Sequence, residues 1–168
     1  METPIARASA RLNRAVELIV AALMVALVLD VWLGVIDRYH FHWQLPWPET
    51  LARYLMIWAA MLAVSSGIAR REHIGLTTVI DRLPFGLRRT LLMISDVLAL
   101  ALFAYLLWFG IGFATGGANK QAMIFGVSMA PFYAAIPVSA AVCCVQLILV
   151  ILRDKGRQGE PATVEMPK

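Results

Sequence analysis

Residues 15–36 read AVELIVAALMVALVLDVWLGVI, and this stretch decides the fold class of the chain. Its only charged side chains are those of Glu17 and Asp30. A helix of about 20 mainly apolar residues, rising about 1.5 Å per residue, crosses the hydrocarbon core of a bilayer. The apolar region is too long for a cleavable signal peptide, and no small-residue cleavage pattern follows it. The stretch therefore predicts a transmembrane helix.

Three more stretches of this kind follow at residues 50–69, 91–113 and 129–152. Over its 168 residues the chain is 60% hydrophobic and 15% charged, with a mean hydropathy of +0.72. Average soluble domains are about 45–50% apolar and about 25% charged, and a soluble fold of this size leaves much of its surface in water. We therefore expect an all-α integral membrane protein with four transmembrane helices.

The distribution of basic residues predicts the orientation in the membrane. Twelve of the 15 lysine and arginine residues lie in the N-terminal segment, in the loop between the second and third spans, and in the C-terminal tail. The other side has Arg38 and Lys120 in its loops and Arg53 just inside the second span. Since basic loops stay in the cytoplasm, we expect both termini there. No basic stretch is interleaved with aromatic residues, so we expect no nucleic-acid partner.

The chain divides into three predicted regions. Residues 1–14 form a cytoplasmic N-terminal segment, residues 15–152 a four-helix membrane domain, and residues 153–168 a cytoplasmic tail. The tail is polar, contains glycine and proline and has no periodic apolar residues, so we expect it to be disordered.

The loop between the second and third spans contains one more predicted element. Apolar residues repeat there at i, i+3, i+4 and i+7, at Leu76, Val79, Ile80 and Leu83. This spacing places them on one face of a helix, and a following proline, Pro84, keeps that helix short. It predicts an amphipathic helix that lies along the membrane surface. A polar turn with a few buried leucines is the alternative.

Charged groups within spans are costly and indicate functional or structural sites. Asp30 and Arg53 lie on the same side of the bilayer midplane, at about 7 Å and about 9 Å. Their similar depth and opposite charge predict a structural ion pair. Arg53 can instead meet Glu49 at i, i+4, and a cluster of all three stays open. The middle of every span lacks charge, so we favour a clamp between helices over a proton or substrate relay.

Two other acidic residues lie within the spans. Glu17, near the inner end of the first span, can reach solvent or nearby arginines. Asp96, in the inner half of the third, has no obvious partner in the sequence, and capping by a partner subunit or by Arg88 or Arg89 is open.

Small residues repeat every four positions on two spans, as Ala59, Ala63 and Gly67 on the second and as Gly112 and Gly116 on the third. Small residues let helices approach closely in a bilayer. These repeats are consistent with an interhelical contact.

The sequence contains no arrangement that supports catalysis or a cofactor. Cys143 and Cys144 are adjacent within the last span, where we expect inert packing residues. Haem would need ligands that project inward from the helices, but the histidines, His40, His42 and His73, lie in loops or at span ends. His40 and His42 have no evident third metal ligand. We therefore expect no enzyme activity, no metal and no cofactor.

A set of motifs around the second span resembles a known family. It comprises WPETLARY at residues 47–54, Trp58, RREHI at 70–74 and DRLP at 81–84. In this order they resemble the DctQ-like small membrane subunit of TRAP (tripartite ATP-independent periplasmic) transporters, over roughly residues 15–152. The sequence departs from that pattern at Thr50, where a second acid is usual, and at Ala63, where glycine is usual.

The resemblance implies a non-catalytic scaffold subunit in the bacterial inner membrane. Such a subunit pairs with a large multi-span membrane subunit that carries the substrate and sodium sites, and a periplasmic binding protein delivers the organic acid. On this interpretation Trp47, Glu49 and Arg53 organise the outer end. The implied anchors at lipid headgroups or at the large subunit are Trp47, Trp58, Arg70, Arg71 and His73.

Two other classes of function stay open. One is a self-sufficient small homodimeric transporter, for which Asp30 is the only good candidate as a coupling acid. The other is a membrane-anchor subunit of a redox enzyme, which would have to bind a coloured cofactor.

Overall fold

The computed structural model describes residues 4–43, 45–70, 84–121 and 128–153. Nearly all of these residues are helical. The helices are α1 (Pro4–Ile36), which continues into a π-helical turn (Asp37–Phe41), α2 (Pro48–Arg70), α3 (Phe85–Gly116) with a 3-10 turn after it (Gly117–Asn119), the short α4 (Ala130–Tyr133) and α5 (Ala135–Arg153). The one β-bridge in the described residues joins Gln121 and Ser128.

In the part of the chain that the structure describes, four helices are long and apolar enough to cross a membrane. They are Pro4–Phe41, Pro48–Arg70, Gly86–Asn119 and Ala130–Arg153. The prediction of an all-α multi-pass membrane protein with four spans is confirmed. The predicted surface helix, together with Arg71 and His73, lies outside the described residues.

The first and third helices are longer than the apolar stretches that predicted them. Helix α1 has 33 residues and α3 has 32, which at about 1.5 Å per residue is about 50 Å. The hydrocarbon core is only about 30 Å thick. Since helical hydrogen bonding does not require apolar side chains, α1 begins at Pro4 and continues through the arginine-rich segment before the first predicted span.

Two prolines mark where helices begin. Pro48 opens α2, where its missing N–H would have no partner within the helix, and its Cβ lies 3.3 Å from the position a Cβ on Gly34 would take. Pro84 has extended backbone immediately before α3. The π-helical turn after α1 ends at His42 in the left-handed region, at φ 54°. His42 and Pro48 thus bound the connection between α1 and α2, and Pro84 marks the start of α3.

The bundle has two ends, which we name by what they contain. The terminal end holds the start of α1, the end of α2, the start of α3 and the end of α5. The turn end holds the π-helical turn, the start of α2, the 3-10 turn and α4. The turn end therefore contains the α1–α2 connection and the α3–α4 connection.

Helix α5 lies at the centre of the bundle and packs against α1, α2 and α3. In the most apolar stretch of each span, 44% of the residues are buried for the α4–α5 span but only 6% for those of α1 and α3. The core is formed by Ile68, Cys143 and Leu147, with Phe103 and its neighbours Ala99 and Leu100 packed against it. The adjacent cysteines are free, and Cys143 is buried, so the structure uses it as a packing residue.

Two further close glycine contacts join α3 and its 3-10 turn to α4 and α5. A Cβ on Gly110 would lie 3.3 Å from Pro137, and one on Gly117 would lie 2.6 Å from the ring of Tyr133. Open space surrounds Gly67, Gly112 and Gly116. The glycines of the four-residue repeats therefore do not lie at close helix contacts. The repeat in the sequence did not indicate which side of α3 faces α5.

Gly117→Ala should destabilise the bundle by about 1–3 kcal/mol, because an added methyl group overpacks a filled contact. The Tyr133 ring cannot readily move aside, because it stacks on Phe113 with 4.4 Å between ring centroids. The matched control is Gly112→Ala, which should be neutral or stabilising by up to about 1 kcal/mol through helix propensity. Thermal unfolding in detergent measures both, and equal effects would contradict the contact.

Candidate functional site

Polar side chains inside the bundle form a group at each end. The turn end has a cavity of about 910 Å³ between α1 and α2, lined in part by Asp30, Asp37, Arg38, His42, Glu49 and Ala52. We call it the turn-end cavity. The terminal end has a hydrogen-bonded network of side chains from α1, α2 and α5.

Asp37 holds the rim of the turn-end cavity in place. Its two carboxylate oxygens accept hydrogen bonds from the backbone N–H groups of Trp43 and Leu45, each at 2.9 Å. The His42 N–H donates to the Asp37 carbonyl at 2.6 Å. Bonds to an ionised acceptor are stronger than neutral ones, so this buried carboxylate fixes the path of the chain out of α1.

Asp30 lines the same cavity, but its carboxylate has no hydrogen-bond partner there. The residue is only 7% exposed, and neither carboxylate oxygen has a hydrogen-bond partner. The backbone N–H of Ala52 in α2 lies close to the carboxylate, but it is not within hydrogen-bond geometry. A buried polar group without a partner is costly, so Asp30 is the least satisfied acid among the described residues.

Arg53 pairs with Glu49 and not with Asp30. The guanidinium lies 3.5 Å from the Glu49 carboxylate, and the two side chains are 64% and 81% exposed. The i, i+4 alternative from the sequence is thus the arrangement present, and the cross-helix pair with Asp30 is not formed. The reason is geometric, because Glu49 is one turn away on the same face whereas Asp30 lies buried against α2. An exposed pair of this kind contributes only about 0.3–0.5 kcal/mol.

Glu17 connects α1 to α2 at the terminal end. Its Oε1 atom accepts hydrogen bonds from Asn13 Nδ2 at 2.9 Å and Ser66 Oγ at 3.2 Å, and from the guanidinium of Arg70. Glu17 therefore reaches an arginine, which was one of its two predicted surroundings. Arg70, predicted to anchor the chain at headgroups or a partner, binds α1 in this structure.

A second cross-helix bond at the terminal end was not predicted. Gln146 Nε2 of α5 donates to Ser9 Oγ of α1 at 2.7 Å, and both residues are buried. The signal was present in the sequence, since Gln146 is the only amide side chain in residues 129–152, and amides within spans usually bond to another helix.

The remaining predicted residues occupy distinct surroundings. Trp47, which precedes α2, and Trp58, within α2, are both half-buried, and the Trp47 carbonyl accepts the Leu51 N–H at 2.9 Å. Asp96 is buried on α3. Within the described residues, no group of three or more His, Cys, Asp or Glu side chains could hold a metal ion.

The chain is similar in sequence to components of known membrane transporters. The family model described as tripartite ATP-independent periplasmic transporters, DctQ component, matches residues 27–156. A Haemophilus influenzae protein named as a TRAP transporter small permease is 30% identical over 90 residues, which is 53% of this chain and 55% of that protein. The chain thus spans about half the length of this relative.

Two further relatives are much longer than this chain. An isethionate TRAP transporter permease protein, DctMQ, of Oleidesulfovibrio alaskensis is 39% identical over 62 residues, which is 37% of this chain and 10% of that protein. A sialic acid TRAP transporter permease protein of Haemophilus influenzae is 24% identical over 154 residues, which is 90% of this chain and 25% of that protein. In both, the matching segment is part of a larger polypeptide.

Ser9→Ala should lower the free energy of unfolding by about 1 kcal/mol, because it leaves the buried Gln146 amide without its partner. The control is Ser139→Ala, at another buried serine, whose hydroxyl bonds to carbonyls of its own helix at 2.6 and 3.1 Å. That change should cost less than about 0.5 kcal/mol. Chemical unfolding in mixed micelles compares them, and an equal loss would argue against a special contribution from the α1–α5 bond.

Arg70→Ala should lower the thermal midpoint more than Arg53→Ala. Arg70 joins two helices through Glu17, whereas Arg53 pairs with a residue of its own helix, so the change at Arg53 should cost no more than about 0.5 kcal/mol. Melting of both variants in the same detergent tests the order. The reverse order would show that Arg53 has a structural contact beyond Glu49.

Proposed function

We propose the function of this chain from one premise: it belongs to the DctQ component of the tripartite ATP-independent periplasmic (TRAP) transporters. Such a component is a small permease subunit of a transporter. On this basis the chain is a non-catalytic scaffold subunit, embedded in the bacterial inner membrane, that pairs with a large multi-span membrane subunit of the same transporter.

The observation that carries the scaffold proposal is the placement of polar groups. Among the described residues, charged side chains of α1 and α2 lie toward the two ends, with Glu17 and Arg70 at one and Asp30, Glu49 and Arg53 at the other. Between these groups, residues 18–29 of α1 and residues 54–69 of α2 carry no charged side chain. A solute or proton pathway needs polar groups across the whole membrane, so this bundle supports a transporter without being the pathway.

The large partner is supported by the relatives. In two permease proteins the matching segment makes up only 10% and 25% of the polypeptide, so in those proteins it is joined covalently to a much larger part. We infer that this chain binds an equivalent part as a separate subunit. That subunit carries the substrate and sodium sites, and a periplasmic binding protein supplies the substrate.

The substrate class follows from the same relatives. Those named for a substrate act on isethionate and sialic acid, and both compounds are organic acids. We therefore propose sodium-coupled import of an organic acid.

The proposed orientation places both termini in the cytoplasm, because basic residues cluster beside the terminal end. Arg7, Arg11 and Arg14 are exposed on the first turns of α1. The turn end then faces the periplasm. We also propose the surface helix that the sequence predicts at residues 76–83, and we propose that Trp47, Trp58, Arg70, Arg71 and His73 anchor the chain at headgroups or at the large subunit.

Reconstitution in proteoliposomes tests the scaffold proposal. The chain alone should give no uptake of radiolabelled sialic acid, isethionate or dicarboxylates under an inward sodium gradient. Adding the large subunit and the binding protein of its transporter should give uptake of one of these organic acids, and collapse of the gradient should abolish it. Uptake by the chain alone would replace the scaffold with a self-sufficient homodimeric transporter.

A further inference from the structure

The turn-end cavity contains a buried acid that the fold leaves without a partner. Asp30 is more than nine-tenths buried, it lines the cavity, and both of its carboxylate oxygens lack hydrogen bonds. The other two acids of the cavity are in use, since Asp37 binds the loop amides and Glu49 binds Arg53. The unmet need of the site is therefore a positively charged or hydrogen-bond-donating group at Asp30.

Among the described residues, no basic side chain fills that need. At the turn end the described basic residues are Arg38, His40, His42, Arg53 and Lys120. Tyr39 and His42 line the cavity, but both residues are exposed and neither is hydrogen-bonded to Asp30. Arg53 is held by Glu49, and Lys120 does not line the cavity. Arg38 lines it but lies eight positions after Asp30, about 12 Å along the helix axis, and forms no ion pair with it.

The volume of the cavity, its lining residues and the depth of Asp30 indicate which kind of group can occupy it. A volume of about 910 Å³ is far larger than a bare metal ion, which needs several oxygen ligands at about 2.0–2.6 Å. No such ligand group exists among the described residues. A zwitterionic lipid headgroup also fits poorly, because the acid lies deeper along α1 than Arg38, which places the two charges far apart and in the wrong order. A long basic side chain can reach a carboxylate at this depth, and the volume leaves room for water around it.

We propose that Asp30 is the acceptor for an arginine or lysine side chain that the large membrane subunit inserts into the turn-end cavity. This inference rests on the proposed function, because it requires that subunit. An unpaired buried charge destabilises a protein, whereas a paired one with its hydrogen bonds made does not. In the isolated chain the buried carboxylate of Asp30 has no partner. In the complex, a basic side chain of the large subunit neutralises it.

The inference predicts effects of opposite sign in the chain and in the complex. Asp30→Asn should leave the thermal midpoint of the isolated chain unchanged or raise it, because an amide is less costly to bury than an unpaired carboxylate. The same change should lower retention of the large subunit on the immobilised chain at least tenfold, as expected for removal of one member of a buried charge pair. Glu49→Gln, at an exposed acid of the same cavity, should change retention less than twofold.

A charge exchange identifies the partner residue. Asp30→Lys should abolish the complex, and one Lys→Asp or Arg→Asp change in the large subunit should restore it. The inference is overturned if Asp30→Asn lowers the midpoint of the isolated chain and leaves the complex intact, if no reversal restores binding, or if the change affects only the periplasmic binding protein. Failure of the unmodified chain to retain the large subunit would instead overturn the proposed function.

Discussion

The packing of α5 against the three other spans holds this bundle together. Helix α3 contacts the α1–α2 hairpin mainly by way of α5, through the core of Ile68, Cys143 and Leu147 and the face of α3 around Phe103. In a bilayer, lipid tails are as apolar as leucine, so close packing and interhelical hydrogen bonds must supply the association energy. The contacts of Gly110 and Gly117 with α4 and α5 and the Gln146–Ser9 bond are interactions of these two kinds. Without α5, the α1–α2 hairpin and α3 would have few contacts with each other.

The two ends of the bundle differ in whether the chain supplies hydrogen-bond partners to their acidic side chains. At the terminal end, Glu17 accepts hydrogen bonds from Asn13, Ser66 and Arg70, so this carboxylate has partners within the chain. At the turn end, Asp37 is satisfied by the loop while Asp30 is not. On the proposed function, the unpartnered Asp30 at the turn end is the group that recognises the large subunit.

Most of the architecture was predictable because apolar length alone identifies a span. The four helices, the family and the Glu49–Arg53 spacing all follow from short-range patterns in the sequence. The starting point of α1 was not predictable in this way, since hydropathy marks where lipid ends and not where helical hydrogen bonding ends. The Gln146–Ser9 bond joins residues 137 positions apart, and its geometry depends on how α1 and α5 pack. The isolation of Asp30 likewise depends on which face of α2 carries Arg53, which depth alone does not specify.

The hydrogen bond at Ser9 also determines the direction in which the start of α1 presents its charges. At about 100° per residue, Arg7, Arg11 and Arg14 all project from the side of the helix opposite Ser9, and all three are exposed. Because Ser9 is held against Gln146, α1 cannot rotate about its axis without breaking a buried bond. The three arginines therefore lie on the face of α1 that points away from the bundle, and a single serine hydroxyl sets the rotation of α1 that places them there.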